Sequence, residues 1–104
     1  MLEATATDVI AVYEQLKDKY ELILTTTSAL DEGFDVNCPI IVGKANGQII
    51  ELYENDGIFI MDVMNDEQTK GTHWHPVGIK DAVCDIVEFM EGKSDYALHS
   101  FRSE

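Results

Sequence analysis

The chain has 104 residues and a formal net charge of −13, from twenty acidic and seven basic side chains. Its length fits one domain, 1–104, and a 45% apolar content supports a core, which excludes a disordered polymer. The charge excludes nucleic acid and an anionic membrane surface as ligands, because both are held by positive charge.

The first element is a helix over residues 6–19. Val9, Tyr13, Leu16 and Tyr20 recur at helical spacing, and Ile10 and Val12 widen the stripe. Thr5 or Thr7 is the expected N-cap, with Asp8 in the first turn where the helix dipole favours an anion. No positively charged leader or long apolar run opens the chain, so no signal peptide and no membrane span are expected.

Residues 22–27 are β-branched and apolar and read as a strand. A polar connection, 28–39, follows. Leu30, Phe34 and Val36 are expected to pin it to the body, and a short helical turn at 28–32 would close at Gly33. The next stretch is a meander. Residues 40–45 and 48–54 flank Asn46-Gly47, a strong hairpin turn, because both residues tolerate positive φ. Asn55-Asp56-Gly57 is a second turn, and residues 58–64 form a third antiparallel strand. Ile50 and Leu52 share one face and Glu51 and Tyr53 the other. The apolar start of the last strand on both faces predicts an internal position in the sheet.

Residues 72–75 form a short strand or lead-in, and Pro76 suits the approach to a helix over 79–91 that ends at Gly92. The apolar tail, with Tyr96, Leu98 and Phe101, is expected to pack on the body. The order predicts an α+β fold: an antiparallel sheet of four to five strands, a central meander, packed against an N-terminal and a C-terminal helix. The two cysteines lack C-x-x-C spacing and read as reduced thiols, Cys38 beside a strand start and Cys84 in the apolar stripe of the last helix.

Three groups of residues are candidates for function. Ten acids and one base, Lys44, lie between residues 21 and 69. Within the meander Glu51, Tyr53, Glu54, Asp56 and Asp62 combine acids with an aromatic, a composition suited to a basic protein partner. On the last helix Asp81, Asp85 and Glu88 fall at spacings of four and three, giving an acidic stripe that is either a solvated face or a contact surface. Between them lies Thr72-His73-Trp74-His75-Pro76. In an extended segment His73 and His75 project to one side and Trp74 to the other. Trp74 could anchor a partner or pack on the sheet. The histidine pair could supply metal ligands, with His99 or an acid completing the set. No nucleophile, base and orienter are named together, so no enzyme and no cofactor are expected.

The segment 72–76 followed by the helix 79–91 resembles the small acidic immunity proteins of bacterial polymorphic-toxin and contact-dependent inhibition systems. The resemblance covers residues 40–92. It implies a cytoplasmic protein that binds and blocks a basic toxin, often a nuclease, inside the producing cell. It carries over no inhibitory residue and fixes no particular fold. Two other readings stand beside it: a metal-binding module or small metal-dependent enzyme built on His73 and His75, and an acidic structural or regulatory subunit.

Overall fold

The computed structural model describes residues 4–26, 38–93 and 98–100. Element α1, Ala6–Leu16, opens with a capping box. The Thr5 hydroxyl accepts from the Asp8 amide at 3.2 Å, and the Asp8 carboxylate accepts from the Thr5 amide at 3.0 Å. Two orphan amides of the first turn are thereby satisfied. Val9, Val12 and Leu16 form its buried stripe; Ile10, expected to widen that stripe, is exposed.

Five strands follow: β1 Leu22–Thr26, β2 Pro39–Ala45, β3 Gln48–Asn55, β4 Ile58–Asn65 and β5 Lys70–Trp74. Each pairs antiparallel with the next, giving the expected meander, and β4 is internal as its sequence predicts. A two-residue strand β6, His99–Ser100, adds to the far side of β5.

Both hairpin turns have the left-handed backbone that their residues permit. Asn46 and Gly47 have φ of 55° and 75°, and Asp56 and Gly57 have 59° and 80°. Two positive φ values in succession match the right-handed twist of the flanking strands. The β4–β5 turn is held differently: Asn65 Oδ1 accepts from the amides of Thr69 and Lys70, each at 2.9 Å.

Helix α2, Ile79–Met90, carries Ala82, Ile86 and Phe89 inward. They meet the α1 stripe and the sheet residues Leu22, Ile41, Ile50, Leu52, Phe59, Met61 and Val63 in one core cluster. Both helices therefore lie on the same face of the sheet. Gly43 is buried where they approach: a Cβ there would stand 2.8 Å from Leu22 Cδ2 and 3.1 Å from Met90 Sδ. At the far end of α2 the Tyr20 hydroxyl donates to Glu91, which also pairs with Lys93 at 2.8 Å.

Two expectations need correction or restriction. Cys84 is exposed, not in the apolar stripe. At about 100° per residue it lies some 200° round the helix from Ala82. The expected helical turn at 28–32, the residues Leu30, Phe34 and Val36, and Tyr96 and Phe101 lie outside the described residues. Leu98 is half-buried against the core.

Candidate functional site

The sheet face turned away from the helices is not an ordinary polar surface. Ile40, Ile49 and Tyr53 are buried on it, with 1%, 6% and 8% of their surface exposed. Strand register then decides which polar groups meet. Glu51 stands opposite Val42 on β2 and Asp62 on β4, and Asp62 stands opposite His73 on β5. One row across the sheet therefore reads Val42, Glu51, Asp62, His73. Side chains directly opposite on neighbouring antiparallel strands lie about 4.5–5.5 Å apart at Cβ, so like charges there repel.

The surroundings aggravate that repulsion. Burial raises the Glu51 carboxyl above the usual glutamate range, and Asp62 raises it further. Burial also raises Asp62, against the opposing pull of the Tyr53 hydroxyl, His73 and His75. Tyr53 donates to Asp62 Oδ2 at 3.2 Å. Its own phenol is pushed well up, first by burial and then by the Asp62 charge. Among the described residues no lysine or arginine pairs with Glu51 or Asp62.

The two imidazoles close the row. The rings of His73 and His75 lie 5.8 Å apart between centroids and meet edge to face at 67°. They share one side of the segment, as its extended form predicts. His75 Nδ1 is 3.0 Å from the carbonyl oxygen of Phe59. A carbonyl only accepts, so Nδ1 holds the hydrogen and Nε2 is the atom left to gain or lose a proton.

The other candidates separate from this row. Glu54 serves its own turn: its Oε2 accepts from the Gly57 amide at 2.9 Å. Asp56 is an exposed residue of the same turn. Trp74 points to the helix side, half-buried against the core, and its indole N–H donates to Asp85 Oδ2 at 2.7 Å. Asp85 is thus drawn out of the solvated stripe and toward the sheet. Burial raises its pKa, the Trp74 bond opposes this, and Glu88 and Asp81 add to it. Asp81 and Glu88 remain exposed.

Among the described residues no three His, Cys, Asp or Glu side chains are grouped so as to hold a metal ion. The His99 side chain lies outside the described residues; its backbone pairs with Gly71. Among the described residues no helix is long and apolar enough to cross a membrane.

Sequence reasoning placed Glu51 and Tyr53 together but assigned His73 and His75 to a separate group. The missing signal was register. The two-residue turn Asp56-Gly57 pairs Asn55 with Ile58, which sets Glu51 opposite Asp62. The further step to His73 depends on the β4–β5 turn, which no two-residue rule fixes.

No family model matches this chain, and neither the curated proteins nor the solved structures give a match.

Proposed function

We propose that this chain is an immunity-type protein of the cytoplasm that binds and neutralises a basic toxin of the nuclease class. The binding surface is the sheet face away from the helices, centred on the half-buried Glu51 and Asp62, with Tyr53 buried beneath them as the donor that holds Asp62 and with Asp81 and Glu88 of α2 adding long-range attraction. The observation that supports this reading is the Glu51–Asp62 pair. Two carboxylates are set opposite each other across neighbouring strands, both half-buried, and no described lysine or arginine pairs with either. A cationic side chain from a partner would relieve the repulsion, so binding gains what the described residues do not supply.

A charge of −13 also accelerates the encounter with a basic protein and slows wrong associations. The test is the product of the adjacent gene. Its C-terminal domain should be basic, and binding measured by stopped flow should have an association rate that falls steeply with salt. A neighbour without a basic domain would defeat the reading. So would an association rate that is the same at low and high ionic strength.

A further inference from the structure

Strand β1 is an edge of the sheet. It pairs with β2 through Leu22–Thr26, and among the described residues no strand lies on its other side. Such an edge presents backbone N–H and C=O groups to any chain that can pair with them, and proteins ordinarily blunt it with a lysine, a proline, an inward-pointing charge or a bulge. None of the five residues Leu22-Ile23-Leu24-Thr25-Thr26 is charged or a proline, and all five pair with β2 in unbroken register. The edge is also apolar on both sides. Ile23 is 61% exposed on the face away from the helices, and Leu24 is 37% exposed on the helix side.

A groove of about 320 Å³ opens beside the strand, lined by Glu21, Leu22, Ile23, Val42 and Lys44. Ile23 and Val42 stand opposite each other and form its apolar wall, and Glu21 and Lys44 form its polar end. Where a sheet edge takes up a strand, main-chain pairing gives affinity and pockets for alternate side chains give selectivity. Charge then decides which strand fits. A second copy would bring another chain of −13 to the same edge, and the two would repel. A basic chain is attracted by the same field.

We propose that the outer edge of β1 receives an extended segment of a basic partner as an added antiparallel strand, with an apolar side chain opposite Ile23 and an arginine or lysine opposite Glu21. The proposal takes the basic character of the partner from the reading above and adds how that partner is held. Residues two apart on the added strand share a face, so the apolar side chain meets Ile23 at the rim of the groove and the cation reaches Glu21. Opposite charges facing each other across neighbouring strands attract. Among the described residues Glu21 forms no ion pair. Lys44 lies one strand further in, on β2, so the acid faces the newcomer first.

The probe is the fluorescent peptide Lys-Thr-Val-Val-Thr-Arg-Lys, titrated against the full chain at low salt. Two further peptides carry backbone N-methyl groups on one or the other set of alternate residues. All three have the same charge and side chains, but only one methylated set removes the donors that face β1. That peptide should bind roughly tenfold more weakly than the unmethylated one, and the other should stay within about threefold. Hydrogen exchange should show new protection at backbone amides of residues 22–25 and none in β5. Equal behaviour of the two methylated peptides, or protection that omits β1, would overturn strand addition. An arginine hexapeptide separates this from the parent reading. If it binds through Glu51 and Asp62 while the strand peptide does not bind, strand addition falls and the acidic surface stands. If neither peptide binds, both readings fall.

Discussion

Replacing Glu51 by glutamine should stabilise the protein at neutral pH. The side chain stands opposite Asp62 and is half-buried, so its charge is opposed both by a like charge and by poor solvation. Glutamine keeps the shape and removes the charge. Like charges directly across a strand pair cost about 0.2–1 kcal/mol, and relief from partial burial acts in the same direction, so a gain of about 0.5–1 kcal/mol is expected at about pH 7. For a domain of this length that raises Tm by about 2–8 °C. The sign with pH is unusual for a carboxylate. Its folded pKa lies above its unfolded value, so the folded chain binds the proton more readily. The stabilising contribution of that proton is full below the unfolded pKa, near about 4.3, and is lost as pH rises through the folded one. The advantage of the variant should therefore shrink toward zero at about pH 4 and reach its full size near neutrality. Urea unfolding of wild type and Glu51→Gln at both values measures it. A variant less stable than wild type at neutral pH would mean that Glu51 is held by a cation in the free protein, and the argument for an uncompensated pair would collapse.

Trp74→Phe removes the indole N–H from Asp85 while leaving most of the ring; a loss of about 1.5–3 kcal/mol in urea unfolding is expected, as for other hydrogen bonds to a charged group. Gly43→Val forces a branched side chain against Leu22, Met90 and Ile50, so unfolding free energy should fall by about 1–3 kcal/mol, with a smaller loss for Gly43→Ala because the nearest atoms end flexible side chains. Gly47→Ala places a Cβ at φ 75° in the β2–β3 turn; about 1–2 kcal/mol should be lost, and an unchanged denaturation midpoint would argue that the turn relaxes freely. Thr5→Ala should cost about 0.5–2 kcal/mol by opening the capping box of α1, again read by denaturant midpoint.

The meander was legible in the sequence because its turns are local. Asn46-Gly47 and Asp56-Gly57 need only two residues to reverse the chain, and once they do, strand parity follows without further information. That parity put Ile50 and Leu52 under the helices and Glu51 and Tyr53 on the far face. The last helix was located correctly, but its faces were not resolved. Asp81, Asp85 and Glu88 share a spacing that reads as one stripe, yet they differ in angle from the core. Taking Ala82 as inward and about 100° per residue, Asp85 lies some 60° from it, and Asp81 and Glu88 some 100–120°. That difference brings Asp85 within reach of Trp74, and it depends on where the neighbouring strand β5 lies. The same angular reasoning, applied to Cys84, exposes it.

The acidic character of the chain also takes on a narrower meaning. Spread evenly, twenty acids would describe solubility alone. Two of them, Glu51 and Asp62, are instead brought together by register on a half-buried face, with two histidines beside them. Glu54 accepts from its own turn and Asp85 from Trp74, so adding them to the same surface would double-count charge already engaged in the fold. A uniform electrostatic surface should weaken in proportion to the number of acids removed, whichever they are. A site built on the cross-strand pair should respond far more to Glu51→Gln or Asp62→Asn than to neutralising Asp81 or Glu88. Measured with a fluorescent arginine hexapeptide at about pH 7.5, the pair should account for roughly tenfold and each helix acid for less than about twofold, the weight of an exposed charge contact. Equal effects from all four would leave only a diffuse field, and the assignment to this face would fail.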